Sequence, residues 1–407
     1  MKAIKILENG GVTSPKGYMA QGVMAEIKKK DKRDVAVIYS DCKAKAAGVF
    51  TTNKVHAACV DVCRNHLEDG MARAIVVNSG NANACTGEQG MQDAIAMAKI
   101  TAEIMGMAIK PQDILVASTG VIGVPMPMER IEGGIAEAIL TMTRSGSHNA
   151  ALAIMTTDLK PKEIAVEFEL SGQPVRIGAI AKGSGMIHPN MATMLAFITT
   201  DADISSECLQ KMAKATTDLS YNMLSVDRDT STNDMMLILA NGMAKTPLID
   251  DDKSEEYADF LEALNYVNIE LAKMIAADGE GANHLLEVKI INAADEKNAR
   301  IMARSVVGSN LVKAAVFGKD PNWGRALAAA GYSGADFNPD LVDIYLGKVQ
   351  VAANGMGLPF DEEAAKGELD KAKVIITFDM KTGSYEATAW GCDLSFEYVS
   401  INADYRT

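Results

Sequence analysis

The strongest constraint on this chain is a glycine-rich segment that runs straight into an apolar run. It reads Lys182-Gly183-Ser184-Gly185-Met186-Ile187-His188-Pro189-Asn190-Met191-Ala192-Thr193, followed by the five apolar residues 194–198. Upstream, 163–170 and 174–180 are apolar-rich strand candidates split by the turn signal Ser171-Gly172-Gln173, which predicts a hairpin. Downstream, the apolar run reads as a buried strand. A loop between two such strands must bend tightly and let other backbone come close, which glycine permits. Three readings are open. The loop can cradle a phosphate with its N–H groups, although the P-loop spacing is absent and a strand follows where a helix is wanted. It can be an ordinary connection in which Thr193 opens a strand. Or the chain can cut its own Ala192–Thr193 bond. Thr193 would then carry a free α-amine, with an ordinary pKa of about 7.7–8.0, as the base for its weakly nucleophilic hydroxyl. Spacing leaves all three open.

The chain has 407 residues, enough for two or more lobes with their own cores. Its net charge of −13 argues against nucleic acid or an anionic membrane as partner. No apolar stretch approaches the roughly 18–20 residues of a membrane span, and Met1-Lys2-Ala3-Ile4-Lys5 lacks a signal-peptide core, so the expected location is cytoplasmic. Cys42, Cys59, Cys63, Cys85, Cys208 and Cys392 are scattered, and only His56 and His66 lie near the Cys59/Cys63 pair. Reduced structural thiols and no metal are the expectation. The histidines are too dispersed for a His-based triad, and His188 reads as structural.

Further strands are expected at 35–39, 48–52, 72–77, 114–117, 235–239, 341–346, 348–352, 374–378 and 385–390. Helices are expected at 88–105, 128–141, 148–155, 205–218 and 254–277. The basic run 28–33 reads as a solvated turn. No repeat stands out, and no linker marks a domain boundary.

Several segments carry chemistry. Asn78 to Gly87 is a strand-end turn rich in amides, which exposes backbone donors or simply turns the chain. Ser118-Thr119-Gly120 ends another strand. A hydroxyl beside a glycine N–H can supply two donors to the oxyanion that develops in acyl transfer, though Ser-Thr-Gly is also common in turns. Thr156-Thr157-Asp158 suits substrate hydrogen bonding, or a plain helix end. Asp227, Asp229 and Asp234 invite a metal reading, but Thr232 and Ile238 stand where an EF-hand needs Gly and Glu, so the fit is poor. Glu280 lies between two glycines on a turn, where a carboxylate can hold a cationic amine or merely follow a helix C-terminus. The block 318–325 reads as the turn between two helices.

The stretch Lys182–Leu195 resembles the self-cleavage motif of the ornithine acetyltransferase (ArgJ) family. The likeness runs from the Asn-rich turn to the last residue. It implies an α/β fold of the DmpA/ArgJ-like kind, with layered sheets and helices, two lobes, and an active site between them. It further implies an α chain, 1–192, and a β chain, 193–407, that stay associated as α2β2 after cleavage between Ala192 and Thr193. The implied reaction moves acetyl from N2-acetylornithine to glutamate through an ester on Thr193, with Thr119 and Gly120 as the oxyanion hole. Substrate residues carried over by the resemblance are one of Thr156 and Thr157, with Lys182, Thr193, Glu280, Asn402 and Thr407. No cofactor is implied, though acetyl-CoA is a conceivable second donor. Two departures stand out: Arg228 occupies a position where the family commonly has glycine, and Asn283-His284-Leu285 replaces a Thr-Lys continuation. A Thr-nucleophile amidohydrolase or aminopeptidase, and a related acetyltransferase of a secondary pathway, are the alternatives.

Overall fold

Leu195–Thr200 and Met235–Ala240 are buried at every position and lie side by side as parallel strands in the middle of one sheet. Unbroken apolar runs of this kind are what a strand covered on both faces requires. The structure is a computed structural model that describes residues 4–28, 31–188 and 194–404. Contacts divide the chain into two units that are interleaved in sequence. The first holds Met1–Gly183, Pro189–Asn222 and Thr230–Leu271; the second holds Ser184–His188, Met223–Asp229 and Ala272–Thr407.

In chain order the first sheet takes β1 (Lys5–Ile6), β2 (Tyr18–Val23), β3 (Val35–Phe50), β4 (Met71–Asn81), β5 (Ile114–Val121), β6 (Lys162–Leu170), β7 (Gln173–Lys182) and β8 (Leu195–Thr200). β9 (Leu224–Ser225) joins the second sheet, and β10 (Met235–Ala240) returns to the first. The order across the first sheet is β1-β6-β7-β8-β10-β3-β4-β5, with β2 also paired to β3. The hairpin expected before the glycine-rich loop is β6–β7. β7 pairs antiparallel with β8, and Lys182 faces Leu195 in register. Helices Ala58–His66 and Gly87–Met105 pack on β5, while Met128–Thr141 and Ser147–Ile154 pack on β2 and β3.

Two sequence-expected strands, 35–39 and 48–52, are one. β3 runs unbroken through the polar residues Ser40-Asp41-Cys42-Lys43, and its register to β4 shifts there. The Arg73 guanidinium stacks on the Tyr39 ring and donates to the carbonyls of Ser40 (2.8 Å) and Asp41 (2.5 Å), supplying donors where the ladder shifts.

In the second unit the sheet order is β14-β13-β12-β15-β11-β16-β9. The new strands are β11 (Leu285–Ala293), β12 (Asp343–Leu346), β13 (Val349–Ala353), β14 (Met356–Gly357), β15 (Lys373–Asp379) and β16 (Tyr385–Cys392). Helix Glu296–Val307 packs on β11 and β16. The strand expected at 341–346 starts late, because Pro339–Leu341 forms a 3-10 turn capped by Asn338, whose side chain accepts from Asp340 N at 3.0 Å. The block 318–325 does join two helices, Asn310–Phe317 and Trp323–Gly331, and Asn322 caps the second by accepting from Arg325 N.

Candidate active site

In the first unit, β4 and β5 run parallel and end together, with Ser79 facing Thr119 and Gly80 facing Gly120. Gly120 has φ +138, and a Cβ there would collide with the Gly80 carbonyl group. Only glycine fits that close approach. The strand end is held by amides. Ser118 Oγ donates to Asn78 Oδ1 (2.6 Å), Asn78 Nδ2 donates to Asn81 O (2.9 Å), and Asn81 Nδ2 reaches the carbonyls of Val124 and Pro125 (both 3.0 Å). Asn233 Nδ2 donates to Ser118 O (2.8 Å) and Ala82 O (2.6 Å). The Asn-rich turn therefore does more than reverse the chain: it fixes the Thr119–Gly120 end.

Lys182, at the end of β7 and almost fully buried, donates from Nζ to Thr156 Oγ1 (2.9 Å) and Thr119 Oγ1 (3.3 Å). Three sequence-predicted residues thus meet at one point. Thr156 follows helix Ser147–Ile154, as expected for a segment at a helix end. The structure ties Thr156 to Lys182. Asp158, in a segment that suits either substrate hydrogen bonding or a helix end, serves the protein itself. Its carboxylate accepts from Gly183 N (2.7 Å), Thr156 N (3.0 Å) and Lys162 Nζ (2.6 Å). Burial alone would raise its pKa, but the Lys162 and Lys182 ammoniums and these hydrogen bonds outweigh it and hold the group at about 2. Asp158 is therefore a fixed anion that organises two cations and the start of the glycine-rich loop.

In the second unit, Ser184 to Ile187 of that loop are tied down. Ser184 Oγ donates to Asp278 O (2.7 Å), and Ser184 O accepts from Glu280 N (3.0 Å). Gly185 lies against the Glu280 carboxylate, where any Cβ would collide with it. Met186 N and Ile187 N both donate to the Asp227 carboxylate, at 2.6 and 2.8 Å. The phosphate-cradle reading fails here: the N–H groups of Gly183, Met186 and Ile187 are already taken by carboxylates of the protein. His188 Nδ1–H donates to Ser225 Oγ (2.9 Å), and its Nε2 accepts from Arg304 (3.2 Å). Burial and then the Arg304 and Arg228 charges lower its pKa to about 4, so it is neutral at neutral pH. These two contacts fit a structural role for His188.

Glu280 is buried, and its Oε2 accepts from Asn402 Nδ2 (2.8 Å) on helix Phe396–Ala403. Tyr398 of the same helix donates to Asp227 Oδ2 (3.2 Å). Two more predicted residues, Glu280 and Asn402, are thus brought together. Ala192, Thr193 and Thr407 lie outside the described residues. Asp227 and Asp229 fall in the second unit and Asp234 in the first, and among the described residues no group of three His, Cys, Asp or Glu could hold a metal ion. Asn283 N and His284 N both donate to Asp393 Oδ1, and the His284 ring bonds to Lys371 O, so Asn283 and His284 form a turn that leads into β11 at Leu285. Arg228 takes the left-handed conformation (φ +69) that glycine adopts without strain.

Sequence reasoning missed Asn78, Asn81 and Asn233 as supports, and it missed Lys28. The basic run 28–33 reads as a solvated turn, yet Lys28 Nζ donates to Met155 O at 2.8 Å. Its neighbour in the same basic run, Arg33, donates to Gly22 O at 2.6 Å.

Layered sheets and helices, with hydroxyl, glycine and ammonium groups converging on strand ends, define an α/β protein equipped for acyl chemistry. Comparison with known proteins makes the class specific. The model of the ArgJ family matches residues 19–407. The arginine biosynthesis bifunctional protein ArgJ of Symbiobacterium thermophilum is 54% identical over 400 residues, which cover 98% of this chain and 99% of that relative. The protein of the same description from Caldanaerobacter subterraneus is 52% identical over 403 residues, covering 98% and 99%. A solved chain of arginine biosynthesis bifunctional protein ArgJ from Bacillus halodurans is 40% identical, with a TM-score of 0.44, and covers 47% of this chain and 100% of its own. The chain belongs to the ArgJ family.

Proposed function

We propose that this chain is a glutamate N-acetyltransferase of arginine biosynthesis, moving acetyl from N2-acetyl-L-ornithine to L-glutamate after cutting itself between Ala192 and Thr193. Relatives about half identical over their whole length carry the corresponding description, which supports an acyltransferase. In the proposed cycle the α-amine of Thr193 takes the hydroxyl proton as the oxygen attacks the acetyl carbonyl. Thr119 Oγ and Gly120 N stabilise the oxyanion. The C–N bond breaks, ornithine leaves with the proton, and the acetyl ester on Thr193 is then attacked by the α-amine of glutamate, which regenerates the hydroxyl. Lys182 with one of Thr156 and Thr157 serves the substrate carboxylate; Glu280, with Asn402 and Thr407, serves its amine. The cycle uses no cofactor, and acetyl-CoA as a second donor, an α2β2 assembly and a cytoplasmic location belong to the same reading.

The observation that carries the proposal is the register pair Lys182↔Leu195. It returns the chain, two residues downstream of Thr193, to the strand end where Lys182 meets Thr119 and Thr156. The test is to incubate the protein with N2-acetylornithine and glutamate and to follow both products. N-acetylglutamate appearing in step with ornithine is expected. Acetate released without transfer would favour an amidohydrolase and overturn the proposal.

A further inference from the structure

Lys28 bridges the two segments that form the first-unit site. Its stem lies on Gly80: a Cβ built there would come within 2.7 Å of Lys28 Cγ and 3.1 Å of Ile27 Cγ2. Gly80 is the register partner of Gly120. At its other end, Lys28 Nζ donates to Met155 O (2.8 Å), the carbonyl just before Thr156, whose hydroxyl accepts from Lys182. The turn that carries Lys28 is itself fixed, since the fully buried Asp34 accepts from the backbone N–H groups of Ala25 (2.6 Å), Ile27 (2.7 Å) and Lys28 (3.1 Å). A flexible surface lysine would need none of this. Four hydrogen bonds and a glycine contact place one side chain against both halves of the site.

We propose that Lys28 is a positioning residue of the acyl-transfer site: it holds the Met155–Thr156 segment against the Gly80–Gly120 strand end and sets a second positive charge near Lys182. This rests on the acetyltransferase reading above. The charged groups facing Lys28 are Asp34, Lys32, Lys182 and Asp158. Burial lowers its pKa most; Lys32 and Lys182 lower it further, Asp34 and Asp158 oppose them, and the result is about 8. The bridging hydrogen bond can survive loss of the proton, because a neutral amine still donates, but the charge cannot. Lys28 therefore gives the site a charge that disappears as pH rises through about 8.

The experiment compares wild type, Lys28→Arg and Lys28→Met in acetyl transfer from N2-acetylornithine to glutamate, as kcat/KM from pH 6 to 10. Thermal melts run beside it identify any variant that does not fold. The acidic limb belongs to the Thr193 α-amine in all three. In wild type an alkaline decline is expected near pH 8. In Lys28→Arg, whose guanidinium stays charged throughout this range, that decline disappears while activity near neutrality is kept. Lys28→Met, folded but without donor or charge, should lose on the order of tenfold at pH 7 and show no alkaline decline, the loss expected for a hydrogen bond to a charged group. The same alkaline limb in wild type and Lys28→Arg, or a folded Lys28→Met within twofold of wild type at pH 7, would overturn the inference alone. Absence of any transfer in wild type would overturn the acetyltransferase reading, and this inference with it.

Discussion

The two sheets of the molecule differ in how they relate to the proposed cut at Ala192–Thr193. The second sheet takes every strand from residues after 193. The first does not: β8 and β10, from the downstream side, lie between β7 and β3, from the upstream side. Six register pairs join β7 to β8, and six more join β10 to β3. Cutting one peptide bond therefore leaves the first sheet intact, and the fragments can part only if two ladders and the core between them come apart. Burial of β8 and β10 at every position makes that costly, because each large apolar side chain is worth about 1.5–3 kcal/mol. The second sheet would survive the cut trivially. If the proposed cut is made, the two fragments remain joined through this sheet without any covalent tie.

The sharpest way to probe this difference is to remove the cut. Thr193→Ala should abolish both cleavage and turnover and leave one folded chain of unchanged secondary structure, as read by denaturing electrophoresis and circular dichroism. A cut or active variant would sink the mechanism. Next in size is Gly120→Ala. The added methyl collides with the Gly80 backbone and sits at φ +138, so the donor pair should be displaced and kcat should fall by about 10²-fold or more. Wild-type kcat in that variant would remove Gly120 from the oxyanion hole.

Asp158→Asn breaks the first unit from within. It removes the carboxylate that accepts from Lys162, whose side chain is 2% exposed, at a cost of about 3–5 kcal/mol in chemical denaturation. The pH dependence has a definite sign. The folded pKa of Asp158, about 2, lies below the ordinary 3.8, so its contribution is present above pH 3.8 and is lost as pH falls from there towards 2. The Asn variant should lack that component of acid destabilisation. The smallest effect falls in the second unit. Arg228→Gly relieves a left-handed backbone and should raise stability by no more than about 1 kcal/mol, with cleavage unchanged; a marked loss of stability would assign Arg228 a packing role.

The hairpin, the buried strand after it and the Thr119–Gly120 strand end were legible in sequence because each is a local pattern: alternation, an apolar run, or a turn after a run. Thr156 and Lys182 were legible as candidates, but their meeting was not. What escaped was support across distance. Asn233 bonds to residues 151 and 115 positions away, and nothing local marks it as the clamp on Ser118. Lys28 sat in a run of like charges whose simplest local reading is solvation, and Met155 O, its partner, lies 127 positions downstream. β3 reads as two strands in sequence because its polar middle looks like a loop; the Arg73 side chain that serves its carbonyls is some 30 residues further on. A glycine-rich loop signals close approach, and at Gly185 the approaching group is Glu280, which spacing alone does not name.

Mass measured on one sample under native and denaturing conditions is the most direct test of a sheet sewn across a self-made cut. The expected result is a single particle containing both fragments in native buffer. In denaturant it should give two species of roughly 20 and 23 kDa, the 43.3 kDa chain divided in proportion to residues 1–192 and 193–407, with Thr at the start of the heavier one. An uncut chain of 43.3 kDa would contradict the cleavage, and fragments that separate without denaturant would contradict the shared sheet.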